Sequence, residues 1–445
     1  MKSIQRITLT VLLSLCIVPL ATAQAVKFTE HKLKNGLRII LSEDHSAPTY
    51  SISVTYNVGS RDERDGRTGF AHLFEHMMFQ GSENVGKGEH FIIIENNGGG
   101  LNGSTSGDRT EYHETLPANQ LDLGLFLEAD RMKSLVINQA NLDNQRETVK
   151  EERRQRYDNQ PYGALFDTLF ETTYDNFAYK HSTIGSMDDL NAANVKDVSD
   201  FFKTYYAPNN AVVVLVGDFK TPEALQKIEK YFGSIPSQTA PKPMDLSEPR
   251  QNGERRKTVE DQLAQVARLD IAFKIPPGNT PDWYTLYVLG EILSTGQSSR
   301  LYQSLVRDKQ VVLQANAGTF ERPGPSLFLV DLFIAPGKDP KEVEKLVYEE
   351  LERVKNQGVT DAELQKVRME VKRGKVEQLE GTLYRAEALG ENAVFYNDPN
   401  VINTGNDKLM AVTKDQIQKA ARTYLIESNR TVLTTVPKPR AGGQQ

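Results

Sequence analysis

The sequence predicts an α+β fold built twice, as two similar units joined by a linker. Three observations carry this. The chain has 445 residues, too many for one ordinary hydrophobic core. Strand-like runs in pairs are followed by helical periodicity, and the pattern starts again after a polar, proline-rich stretch. The two halves can also be laid over one another: "NQANLDNQRETVKEE" (138–152) matches "TDAELQKVRMEVKRG" (360–374) without gaps, and "FEHMMFQG" (74–81) lies over "LGEILSTG" (289–296). A duplication of this length implies a repeated supersecondary unit, each a mainly antiparallel sheet with helices on one face.

The elements follow in order. "MKSIQRITLTVLLSLCIVPLATAQ" has Lys2 and Arg6, an apolar run and then Ala21-Thr22-Ala23, the pattern of a signal peptide over 1–23. Its removal takes the only cysteine, Cys16, so the exported chain is expected to hold together by packing and a metal rather than by disulfides. No other segment is long and apolar enough to span a membrane. "KLKNGLRIILSED" and "TYSISVTYNVGS" read as strands with a turn between them. "TGFAHLFEHMMFQGS" reads as a helix, because Phe70, Leu73, Phe74, Met77 and Met78 fall at helical spacing. "GGGLNGSTSGDRTEYHETLP" reads as a Gly-rich turn and a polar, alternating strand, on which His113 is taken as a surface residue. "LDLGLFLEADRMKS" and "NLDNQRETVKEERRQRY" are helices, and "NAVVVLVGDF" is a buried strand.

Residues 236–257 are rich in proline, polar and charged residues and are expected to link a unit spanning 24–235 to one spanning 258–445. In the second unit, "VARLDIAFKIPP" and "PSLFLVDLFIAPG" are strands. "WYTLYVLGEILSTGQSSRLYQSLV", "DPKEVEKLVYEELERVKNQG" and "TDAELQKVRMEVKRG" are helices, the last opened by a Thr360–Glu363 capping box. Formal net charge is −6 with no long basic run, so nucleic acid is not an expected partner.

The chemistry concentrates in His72-Leu-Phe-Glu75-His76. Residues four apart share a helix face, so both imidazoles can aim at one point, as zinc-binding pairs do. Glu75 stands beside that face, within reach of a water on the metal without being a ligand. A carboxylate there can accept the water's proton near neutral pH, readying it to attack a carbonyl that the metal polarises. The order H-x-x-E-H is a metallopeptidase signature. The competing explanation is two solvated histidines, among seven in the chain, that happen to lie four apart. The glutamate at the required offset argues against that.

A catalytic zinc site needs a third protein ligand and an open position. Around this motif the sequence resembles the pitrilysin, insulysin and mitochondrial-processing-peptidase family of inverzincin zinc metallopeptidases, in its short-chain, two-domain subgroup. The resemblance runs over nearly the whole exported chain, including the linker and "SSRLYQSLVRDK". It implies a third ligand on a later helix, at a spacing that both Glu151 and Glu152 meet. The family's local pattern, resembling E-R-x-V-x-x-E-E, selects Glu152 when laid over "QRETVKEE". Gln145 stands where the family has a supporting glutamate, a departure. The resemblance also implies an edge strand that binds extended peptide by backbone hydrogen bonds, with Asn102, Gly103, Ser104 and Thr105 at the contact.

The family resemblance further implies half of a clamshell, one Zn2+ per chain, and an arginine and a tyrosine that reach over from the other half to the substrate carbonyl. Here Arg307 is present, but Gln314 holds the tyrosine position. The expected partner is therefore a homologous subunit carrying the Arg–Tyr pair, with a homodimer as second choice. The expected function is a zinc-dependent endopeptidase of peptides or unfolded segments in an enclosed chamber, with water on the metal activated by Glu75, exported to the periplasm. The alternative is a non-catalytic structural or partner subunit, and such members lose the histidines or the glutamate. The second half serves as an internal control. In the alignments above, His72 falls on Tyr287, Glu75 on Gly290, His76 on Glu291 and Glu152 on Gly374. The helical periodicity survives while every candidate catalytic position is lost.

Overall fold

Two mainly antiparallel sheets carry the fold in a computed structural model that describes residues 25–438. The expected signal segment lies outside these residues. The first sheet contains β1 (Thr29–Lys32), β2 (Arg38–Glu43), β3 (Thr49–Tyr56), β4 (Gly100–Thr105), β5 (Thr110–Pro117) and β6 (Ala211–Gly217), in the order β1-β2-β6-β3-β5-β4. The second contains β7 (Arg255–Asp261), β8 (Arg268–Ile275), β9 (Val312–Phe320), β10 (Ser326–Ile334) and β11 (Arg430–Pro437), in the order β7-β11-β8-β10-β9. Without β1 the two sheets correspond strand for strand. Each has a single parallel pair at the same place, β2 with β6 and β7 with β11. The duplication read from short sequence matches is thus a repeated topology.

The all-apolar run of β6 is buried along its whole length, which requires cover on both sheet faces. One face packs on the helices of its own half. The other receives the helix Thr382–Phe395 from the second half, whose Ala386, Leu389 and Ala393 meet Ile40, Val212, Val214 and Val216. Gly390 makes this approach possible, because a Cβ there would stand 2.5 Å from Thr55 Oγ1. The exchange is reciprocal. The helix Leu165–Thr173 of the first half lays Leu165, Leu169 and Phe170 on Ala272, Leu327 and Leu433 of the second sheet. Helices on one face of each sheet were expected; each second face is closed by a helix from the opposite half.

Local readings change as well: the single helix expected over 283–306 stops at Ser294 and resumes after a turn as Tyr302–Asp308. The expected linker carries no helix or strand up to Glu254, but Arg255–Lys257 pair in parallel with β11. Their charges suit a sheet edge, and that is why composition assigned them to a linker. His113 is not a free surface residue. Its Nδ1 lies 3.0 Å from Glu387 of the crossing helix and 3.3 Å from Glu111. Arg385 with Asp44, and Glu391 with Arg109, pin the same helix to the first sheet.

Burial pushes the His113 pKa down, but the hydrogen bonds to Glu111 and Glu387 outweigh it and lift it to about 9 from an ordinary 6.5. The stability gained from this raised value is complete below pH 6.5 and is lost as pH rises through about 9. Thermal unfolding measured across that window should decline more steeply for the native chain than for His113→Gln. Parallel profiles would contradict the assignment.

Candidate metal centre

The helix Phe70–Met77 buries Phe70, Leu73, Phe74 and Met77 in the core and turns His72 and His76 the other way. It begins after Gly69, which holds φ at 80°. The carboxylate of Glu63 caps it by accepting from the N–H groups of Gly69 at 2.9 Å and Ala71 at 2.7 Å. Beside it runs the helix Gln139–Arg153, capped by Asn138, whose Leu142 and Val149 enter the same core. Asn141 ties the two together by donating to the Gln80 carbonyl.

These constraints bring three side chains to one point. His72 Nε2 and His76 Nε2 lie 3.6 and 3.3 Å from the same oxygen of Glu152, Oε2. A tetrahedral ion with bonds of ~2.0–2.1 Å separates its ligand atoms by ~3.3 Å, so the spacing fits one ion held by two nitrogens and an oxygen. Burial, then the neighbouring His76, push the His72 pKa down to about 4, which favours the neutral imidazole, the form able to bind a metal. The hydrogen bond with His76 holds Glu152 below the usual carboxylate range. Glu151, adjacent in sequence, points to solvent with its side chain 54% exposed and is held by Arg154 and Gln155. Gln145 is buried, and its amide nitrogen donates to Asn144 rather than to a site residue. His72 Nδ1 is buried and meets no hydrogen-bond partner among the described residues.

Glu75 faces the same space. It is 9% exposed, and burial raises its pKa against the pull of a 2.6 Å hydrogen bond donated by Thr105 Oγ1 to Oε2. Thr105 and Gly103 sit on the face of β4 toward Glu75. Ser104 faces away, where Arg109 donates to its hydroxyl and carbonyl oxygens. β4 is the outermost strand of its sheet. The stretch read as a turn before a strand is therefore a hairpin, with Asn102–Thr105 already inside its edge strand.

A cavity of about 460 Å3 joins these groups. His72, Glu75, His76, Glu152 and Asn102–Thr105 line it, together with Phe79, Phe91, Arg156, Tyr157, Thr183 and Ile184. Arg156 pairs with the second oxygen of Glu152 at 2.8 Å, one helical turn on, so spacing alone could have flagged it. Thr183 and Ile184 carry no local signal. Arg307 is not at this cavity; it is exposed and paired with Asp308. His90, Glu114 and Glu128 also converge, but Arg131 donates two hydrogen bonds to Glu128 there, making a buried charge network.

Residues 38–187 match the model described as insulinase (peptidase family M16), and residues 192–371 match that of the peptidase M16 inactive domain. Zinc protease PqqE of Helicobacter pylori is 31% identical over 412 residues, covering 91% of this chain and 92% of that protein. The chain belongs to the M16 peptidase family. The crystal structure of a protease from Helicobacter pylori shares the M16 fold at a TM-score of 0.88 and 30% identity, covering 92% of this chain and 100% of that one. The first half of the periplasmic protease PqqL from Escherichia coli has the same fold at a TM-score of 0.75 and 19% identity, with 93% of each chain covered.

The M16 inactive-domain match falls largely on the second half, where the equivalent helix Pro281–Ser294 carries Gly290 in place of Glu75. There the backbones close up: a Cβ on Gly290 would stand 2.8 Å from Gly318 Cα of β9. In the first half the corresponding space holds the Glu75 side chain, and a Cβ on Gly103 would come within 3.2 Å of Glu75 Cγ and Oε1. Gly103→Ala is therefore expected to displace the carboxylate by a few tenths of an ångström with metal content unchanged; for Glu75 as a candidate general base, that shift should lower kcat ~10-fold. Unaltered kcat would show that Glu75 tolerates the shift.

Proposed function

We propose that this M16 chain is a zinc-dependent endopeptidase acting on peptides or unfolded segments, with His72, His76 and Glu152 as metal ligands and Glu75 as general base. The observation that carries the reading is the convergence of both Nε2 atoms on one Glu152 oxygen, with the Glu75 carboxylate beside them. Bound zinc supplies a Lewis acid that polarises the scissile carbonyl and acidifies water.

The rest is the work of the chain's own groups. The exposed edge of β4 offers backbone donors and acceptors to an extended peptide, and Gly103 lets that peptide pass close to Glu75. Glu75 accepts the proton of the attacking water at Oε1, because Oε2 is held by Thr105. It then delivers the proton to the leaving amine. Burial, which raises its pKa, favours this double role.

Arg307 of the same chain lies outside the cavity, so carbonyl contacts from a second half are assigned to a partner. A homologous subunit with an Arg–Tyr pair is preferred and a homodimer is second. The signal-like segment 1–23 supports export, and the periplasm is the proposed compartment. The test is hydrolysis of an unstructured, internally quenched peptide by the purified chain, with its mass in solution measured in parallel. Hydrolysis that a zinc chelator abolishes supports the reading, and chelator-resistant hydrolysis refutes it. A fully active monomer would refute both forms of the partner proposal.

A further inference from the structure

A second cavity, of about 360 Å3, opens beside the metal centre and shares Thr105, Tyr157 and Thr183 with it. It lies between the two halves of the chain. Phe166 and Phe170 come from the helix Leu165–Thr173, Phe320 from the end of β9, and Phe395 from the end of the crossing helix. The rings of Phe166, Phe170 and Phe320 form a wall with centroids 5.6–6.3 Å apart. Phe166 and Phe320 remain 38% and 39% exposed, an unfavourable state for two adjacent large apolar side chains. Behind the wall, the Arg322 guanidinium stacks 5.0 Å from the Phe170 centroid and 5.1 Å from that of Phe320.

The acids at the rim are already engaged. Asp108 takes Arg61 and Tyr179, Glu391 takes Arg109, and Glu321 takes Tyr396. Arginines thus neutralise Asp108 and Glu391, and Glu321 is held by a neutral hydroxyl; the larger feature is the aromatic wall, which offers an entering aromatic ring faces and edges at stacking distance. The position relative to the metal centre follows from β4. Gly103 lies under Glu75, while Thr105 and the following Ser106 and Gly107 line the second cavity. A peptide added to β4 advances ~3.3 Å per residue, so roughly two or three residues separate the bond at Glu75 from a side chain at this mouth.

The geometry points to a specificity pocket for one aromatic side chain of the substrate, on the side of the scissile bond that lies over the C-terminal end of β4. This deepens the peptidase reading and rests on it. The test uses fluorescent decapeptides in which a single Phe is scanned through a Ser/Ala background, with the Phe-free peptide as reference. Binding is measured by anisotropy on zinc-loaded Glu75→Gln protein. The best Phe register should bind about tenfold tighter than the reference. Adding Phe166→Ala should collapse that preference, and Phe166→Leu should retain most of it. Equal affinity for every peptide, or a preference indifferent to Phe166→Ala, would overturn the pocket.

Cleavage sites mapped with the unmutated enzyme separate the two claims. Hydrolysis positioned two or three residues from Phe supports both. Hydrolysis indifferent to Phe removes the pocket and leaves the peptidase. Phe-dependent binding with no hydrolysis either by the chain alone or by its assembly with the partner subunit removes the peptidase and leaves the pocket.

Discussion

Glu75→Gln is expected to retain zinc and to lower peptide hydrolysis ~10²–10⁴-fold, the usual consequence of losing a general base. The amide keeps the size of the side chain and can still accept from Thr105 through its oxygen, so the local packing survives. What it loses is the oxygen that can take a proton from water. Metal analysis separates this from collapse of the site: zinc content should match the native chain while turnover falls. Because burial raises the Glu75 pKa, the substitution also removes a strained buried carboxylate, so thermal stability should hold or rise slightly. Near-normal turnover in the Glu75→Gln variant would take Glu75 out of the mechanism.

Replacing any one ligand should remove stoichiometric zinc, and the contrast between two neighbouring glutamates makes this decisive. Glu152→Ala deletes the oxygen on which both histidines converge. Glu151→Ala deletes a solvent-facing carboxylate tied only to Arg154 and Gln155. The first should behave like His72→Ala and His76→Ala, with no zinc retained after gel filtration and no hydrolysis. The second should keep both. The reverse outcome would reassign the ligand.

The helix bearing His72, Glu75 and His76 was legible because its apolar residues follow the helical period and its polar ones share a face. The candidate third ligand is not legible from periodicity, since Glu151 and Glu152 both suit an exposed helix. A family pattern selected Glu152, and in the fold that residue is the one turned toward the histidines. Periodicity also failed at the contacts between the halves. Nothing local in "TLYRAEALGENAVF" says that it crosses to the other half's sheet, and so His113, which meets Glu387 there, read as surface. Composition alone places Arg255–Lys257, the start of β7, in the linker, because their charges mask the strand pattern. The aromatic wall was invisible for the same reason. Phe166, Phe320 and Phe395 are far apart in sequence and become neighbours only because the two halves exchange helices.

One catalytic zinc on His72, His76 and Glu152 is what the proposed mechanism requires. The measurement that tests it most directly is metal content per chain of the purified protein, native and Glu152→Ala, after exhaustive removal of loosely bound ions. About one zinc is expected per native chain and none in the variant. A metal-free native chain that still hydrolyses peptides, or a Glu152→Ala chain that keeps its zinc, would contradict it.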